Sequence, residues 1–357
     1  MAQTMNTGGR IILGGIDSRS WEHPSDGAAL TALRKVPGFD TVLRKLFGLV
    51  GEQSLRLFHQ ANAALVTDEQ FPRLYESFME CCAVLDIETI PQLYVTQVPL
   101  LSARTIGLDD PFIVFSTSTI EILDNDELHF ILGHELGHAM SGHALYKTML
   151  GLLLQLAIIG MGIPLTRLTF MGLIMALREW DRKSELSADR AGMLCVQDSE
   201  VAYRTFMKMA AGTRTEEMDL EAFKNQARAY QDTGTKKEGF FKILNALFAS
   251  HPFAVTRLAE ALRFTESGDY KRLLGGDYAN RTDPDLKMTE DIKTAIAAYR
   301  ERLAESDDPL AQWFNAWAEK ASDFADGVRK PRTKAGDDLE DYANTGFDLF
   351  GDTEDDL

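Results

Sequence analysis

Cysteine is scarce. The 357 residues hold three, Cys81, Cys82 and Cys195, too few and wrongly spaced for a disulfide framework or a CxxC metal site. They are expected as small buried hydrophobes in a reducing compartment. Positive charge is short too: Lys and Arg number 37 against 54 Asp and Glu, a formal net charge of −17. This argues against nucleic acid or an anionic membrane as the main partner, because both need clustered positive charge. Nine of the acidic residues fall between Gly336 and Leu357, where there is no Lys or Arg. Residues 336–357 therefore read as an acidic disordered tail. No secretory-type leader is visible. Met1 to Gly27 is polar and Gly-rich, its one apolar run being Ile11-Ile12-Leu13, so 1–27 is expected to be a disordered leader and the location cytoplasmic. No internal repeat is visible.

What is present is ordinary globular material, 45% hydrophobic and 25% charged, enough for a sizeable core. Residues 28–66 have helix-compatible apolar spacing (Leu43, Leu46, Phe47, Val50), interrupted by Pro37 and glycines. A helix is predicted from Asp68 to Leu85. Around Pro91 the texture changes: Leu93-Tyr94-Val95 and Phe112-Ile113-Val114-Phe115 are short β-rich runs that predict a small sheet. Asp124 with Glu127 three residues on has the form of a helix N-cap. The stretch from Leu128 to about Lys147 is apolar nearly all round, as in a buried helix. Apolar stripes such as Ile292, Ile296, Tyr299 and Leu303 predict C-terminal helices over 276–335. The expected fold class is α+β, mainly α, with a small sheet beside one buried helix and helical additions at both ends. The central domain is expected to span 67–275.

That buried helix carries His134-Glu135-Leu136-Gly137-His138. Residues i and i+4 lie about 40° apart around a helix axis, so both imidazoles leave one face and can share an ion. Glu135 is offset by about 100°, beside the ion, where it can take a proton from a water activated there. Two His and a Glu in the apolar middle of a helix each need a partner, and Zn2+ supplies one for both His. Catalytic zinc needs a third protein ligand. His143 stands roughly opposite His138 if the helix continues, and so reads as structural or supporting. Downstream, Glu185 and Asp189 in Ser184-Glu185-Leu186-Ser187-Ala188-Asp189 are again i, i+4. That spacing allows Glu185 to bind the ion and Asp189 to orient a ligand imidazole, though charged i, i+4 pairs are usually solvated faces. On composition Glu179 and Glu200 are rivals.

HELGH followed by SELSADRAG resembles the gluzincin metallopeptidases of the CAAX prenyl protease and HtpX-type families. Asp126-Glu127-Leu128 resembles their lead-in to the zinc helix, and His251-Pro252 with Arg257 resembles their HP…R signature. The resemblance spans about Pro91 to Leu262. It implies a zincin-like core, one zinc ion on His134, His138 and Glu185, Glu135 as general base, and Asp189 supporting a ligand. It also implies His251 and Arg257 near the reacting atoms, steadying an oxyanion. The implied activity is metalloendopeptidase, zinc-activated water attacking a peptide bond. A non-catalytic peptide-binding protein on the same scaffold is the rival reading.

In these relatives an edge strand Asn-Ala-Phe-x-x-Gly pairs with an extended substrate. Here it reads Ser102-Ala103-Arg104-Thr105-Ile106-Gly107. Strand addition rests on main-chain hydrogen bonds, so a protein or peptide substrate is still expected along Ser102–Gly107, while specificity differs. From Thr148 to Leu177 the only charge is Arg167. Because His138 and Glu185 must meet at one ion, the chain between them can cross a bilayer only an even number of times. Arms of about 16 and 13 residues reach roughly 24 and 20 Å, short of the ~30 Å hydrocarbon core. A buried helical hairpin or a shallow membrane contact through 148–177 is expected rather than spanning helices.

Overall fold

A computed structural model describes residues 9–34, 39, 42, 46, 51–159, 167–232 and 253–283. In chain order its helices and strands are α1 (Pro24–Leu33), α2 (Glu52–Asn62), β1 (Ala64–Leu65), α3 (Pro72–Val84), β2 (Leu93–Thr96), β3 (Ala103–Ile106), β4 (Phe112–Ser116), α4 (Thr117–Ile122), α5 (Asn125–Met140), α6 (His143–Ile159), α7 (Arg167–Val196), α8 (Ser199–Ala211), α9 (Leu220–Asp232), α10 (Ala254–Glu266) and α11 (Asp269–Leu274). The class is α+β and mainly α. The strands form one mixed sheet in the order β1-β2-β4-β3. β1 runs antiparallel to β2, β2 parallel to β4, and β3 antiparallel to β4.

Strand alternation divides the side chains of this sheet. Leu93, Val95, Ile113 and Phe115 join the main core with Phe78, Phe130, Leu136, Leu194, Phe206 and Leu258. Tyr94, Phe112 and Val114 form a smaller cluster on which Leu55 of α2 packs. β3 is left as a sheet edge.

Helix α5 starts where its cap residues require. Asp124 Oδ1 accepts from the Glu127 N–H at 2.9 Å and Glu127 Oε2 accepts from the Asp124 N–H at 2.9 Å, a reciprocal capping box. It then packs along α7 at a separation only small residues allow. A Cβ on Gly133 would lie 2.3 Å from Cys195 Cβ, and one on Gly137 2.5 Å from Ala191 Cβ. One on Gly192 would meet the Phe130 carbonyl oxygen at 2.6 Å. These contacts bring the two halves of the HExxH…ExxxD pair face to face.

The helix predicted through Lys147 is two helices. α5 stops at Met140, and Gly142, at φ +67°, turns the chain before α6 begins at His143. The left-handed conformation at Gly142 suits a residue without a Cβ.

The expectation of a disordered leader over 1–27 is corrected for residues 9–27. Leu13, Ile16 and Trp21 are fully buried in the main core. The Leu13 N–H donates to the Val84 carbonyl at 2.8 Å, and the Gln197 side chain brackets both main-chain groups of Ile11. Composition averaged over this segment hides four apolar anchors that find partners far along the chain.

A second core joins Ala29 and Leu33 of α1 and Val42 and Leu46 to Met149 and Leu153 of α6 and Leu173, Leu177 and Trp180 of α7. The apolar stretch 148–177 thus packs, over its described part, against the N-terminal region. Among the described residues no helix is long and apolar enough to cross a membrane. All three cysteines are buried and free. Of the predicted C-terminal helices only 276–283 is described. It is turn and bridge, with Asn280 pairing antiparallel to Ile16; the predicted helices beyond it and the acidic tail lie outside the described residues.

Candidate active site

His134 and His138 project from α5 toward Glu185 of α7. His138 Nε2 lies 3.2 Å from Glu185 Oε1 and His134 Nε2 lies 3.6 Å from Glu185 Oε2. All three side chains are buried, with ligand atoms within 4.8 Å of one another. A tetrahedral ion with bonds of about 2.1 Å sets its ligand atoms about 3.4 Å apart, so this His2Glu set fits such a metal. Burial, and after it the nearby charge of Lys147, holds the His138 imidazole well below the usual histidine range, in the neutral form a metal ligand needs.

Each imidazole is held from behind. His134 Nδ1 is 3.0 Å from Asp189 Oδ1. Burial pushes the Asp189 carboxyl up, but the charge and hydrogen bonds of Arg257, with those of His134, outweigh it and keep the group below the usual carboxylate range. His138 Nδ1 is 2.9 Å from His143 Nδ1. The break at Ser141-Gly142 puts this ring against His138 instead of on the opposite face. Lys147 Nζ reaches Asp181 Oδ1 at 2.8 Å and also contacts Glu185 Oε1.

Glu135 lies beside the cluster, with Oε1 4.0 Å from His134 Nε2. Its Oε2 accepts from Thr105 Oγ1 of β3 at 2.6 Å. Arg257 is in the site, but its guanidinium grips Asp189 with Nε at 2.8 Å from Oδ2 and Nη2 on Oδ1. It therefore braces the orienting carboxylate, while its Nη1 lies 3.7 Å from Glu185 Oε2 at the cleft wall. His251 lies outside the described residues.

His134, Glu135, Lys147, Glu185 and Arg257 line a cleft of about 880 Å³ whose walls also include Phe58, Ala103, Thr105, Leu154 and Arg178. Among the described residues its β3 wall is a sheet edge. The Ser116 N–H donates to the Ser102 carbonyl at 2.9 Å, which makes Ser102–Ser116, Arg104–Val114 and Ile106–Phe112 the hydrogen-bonded pairs of the antiparallel ladder. The main-chain groups of Ala103 and Thr105 consequently face away from β4.

Residues 68–265 match the model of peptidase family M48. The chain belongs to this family. It is 33% identical over 272 residues, 74% of its own length and 77% of the relative's, to the plastoglobule-localized metallopeptidase 48, chloroplastic, of Arabidopsis thaliana. No solved structure matches. As an M48 peptidase the chain is a metal-dependent hydrolase of peptide bonds.

Residue patterns did not point to Lys147 and Asp181, nor to two further members of this site. Thr105 belongs to the strand singled out for substrate docking, yet its hydroxyl had no assigned partner. Asp26, whose Oδ2 lies 3.0 Å from His143 Nε2, comes from the segment taken for a leader. Two local signals could have found this part of the site: Pro24 at the first turn of α1, and the Ser141-Gly142 pair as a helix stop.

Proposed function

We propose that this M48 peptidase is a zinc-dependent metalloendopeptidase with Glu135 as general base, acting on extended peptides docked along Ser102–Gly107. The observation that carries the reading is the convergence of His134, His138 and Glu185 within one bonding sphere, with the Glu135 carboxylate beside it and the β3 edge open to the same cleft. Zinc is the metal that two imidazoles and one carboxylate suit, and when bound it supplies a Lewis acid and a water whose pKa is lowered toward neutrality.

The rest is done by the chain. The main-chain N–H and C=O of Ala103 and Thr105 pair with the substrate backbone and fix the scissile bond along the cleft. Glu135 takes the proton of the attacking water and returns it to the leaving amine. Thr105 holds the Glu135 carboxylate, and Asp189 and His143 hold the two rings. The same reading has the protein in the cytoplasm, buried at 148–177 or in shallow membrane contact there; retention in the pellet after carbonate extraction would overturn that part.

The test is zinc content and peptide cleavage for wild type and Glu135→Gln. Stoichiometric zinc in both, with cleavage down about 10²–10⁴-fold in the variant, is expected. Retained cleavage, or a wild type that holds no zinc, overturns the reading.

A further inference from the structure

We infer that Asp26 and His143 are positioning residues for the ligand His138, so that the N-terminal helix is a working part of the metal centre. The inference rests on reading His134, His138 and Glu185 as that centre. Four groups form one buried chain. His138 Nδ1 is 2.9 Å from His143 Nδ1, His143 Nε2 is 3.0 Å from Asp26 Oδ2, and Ser187 Oγ donates to Asp26 Oδ2 at 2.6 Å. Ser187 Oγ in turn accepts the His23 N–H at 2.9 Å. None of His138, His143, Asp26 and Ser187 is more than 3% exposed.

Donor logic fixes the ring protons of this chain once the metal is bound. With an ion bound between His138 Nε2 and Glu185, that nitrogen offers its lone pair to the ion, and Nδ1 must then carry the hydrogen. That hydrogen is donated to His143 Nδ1, which must be bare. The remaining His143 hydrogen sits on Nε2 and is donated to the Asp26 carboxylate. In the other neutral tautomer of His143, two N–H groups would face each other across 2.9 Å while a lone pair faced the carboxylate. Asp26 therefore selects the His143 tautomer, and His143 selects the metal-binding tautomer of His138.

His134 receives the same service from Asp189 directly. The two ligands thus have separate anionic anchors, one on α7 and one on α1, and Asp26 lies outside the region 68–265 that matches the family. The link from α1 to the catalytic helix runs through the turn at Gly142.

The test uses the full chain and zinc as the probe, with affinity read by chelator competition. Asp26→Ala and His143→Ala should each weaken zinc binding about 10–100-fold. The double variant should bind no more weakly than His143→Ala alone, because both act through one chain, whereas independent structural losses would add. Asp26→Asn, which keeps size and an acceptor oxygen, should lose less, and it carries the test if the alanine variants do not fold. In the zinc-loaded protein, nitrogen-15 spectra should show His143 as the Nε2–H tautomer and lose that signature in Asp26→Ala. Zinc affinities within twofold of wild type in the single variants, or losses that sum in the double, overturn the inference. A wild type that binds no zinc overturns the metal reading beneath it as well.

Discussion

Thr105 Oγ1 lies 2.6 Å from Glu135 Oε2 and 2.9 Å from the carbonyl oxygen of the same residue. The hydroxyl has one hydrogen to donate, and the shorter contact is to the carboxylate. The strand proposed to receive the substrate backbone thus also holds the proposed base, so one short element registers both partners of the reaction. Thr105→Val keeps the shape and removes the donor. A hydrogen bond to a charged group contributes about 1.5–3 kcal/mol, so kcat should fall roughly 10–100-fold with KM little changed, because the main-chain edge is intact. Thr105→Ser should restore most of the rate. Steady-state kinetics on one peptide decide it: a KM effect alone would assign Thr105 to binding.

The spacing of α5 and α7 is set by hydrogen atoms where other helices carry side chains. Gly133→Ala would place a methyl 2.3 Å from Cys195 Cβ and 3.1 Å from Gly192 Cα. Neither neighbour is the free end of a flexible chain, so the helices must part. Overpacking of this kind costs about 1–3 kcal/mol. Parting also draws His134 and His138 away from Glu185, which a destabilising change elsewhere would not do. Loss of zinc affinity together with a lower unfolding midpoint is expected; unchanged affinity in a folded Gly133→Ala protein would show that the helix separation does not set the site.

What the sequence made legible follows the range of the physics. The α5 cap, the β-rich runs and the i, i+4 pairs are local, so Asp124 with Glu127, Leu93–Val95, Phe112–Phe115 and the His134/His138 and Glu185/Asp189 faces could be read from spacing. Whether Glu185, Glu179 or Glu200 joined the imidazoles could not, because that depends on how α5 packs on α7, and the family resemblance had to single it out. The Gly142 break was readable but was outweighed by the apolar run through it. Asp26 meets His143 from 117 positions away in the chain, and no periodicity reports such a meeting. Arg257 shows the same limit. Its bidentate grip on Asp189, 68 positions away in the chain, is a tertiary contact that no spacing reports.

Trp21 gives the ordered leader its sharpest test. Its indole is fully buried in the main core, and its Nε1–H donates to Ser141 Oγ at 3.3 Å, on the residue that ends the catalytic helix. Truncating a buried Trp to Ala removes its apolar burial and leaves a cavity, about 3–5 kcal/mol together. Trp21→Phe keeps much of the volume and loses the hydrogen bond, about 1 kcal/mol, plus whatever the smaller ring leaves unfilled. Unfolding midpoints in urea should therefore rank wild type above Trp21→Phe and both well above Trp21→Ala. Removing residues 1–22 should do at least as much damage as Trp21→Ala, because Leu13 and Ile16 leave the core with Trp21. A truncated protein that unfolds at the wild-type midpoint would mean that the segment rests on the core without supporting it, and the ordering of α1 against α7 would then have to come from Ala29, Leu33 and the Asp26–Ser187 hydrogen bond.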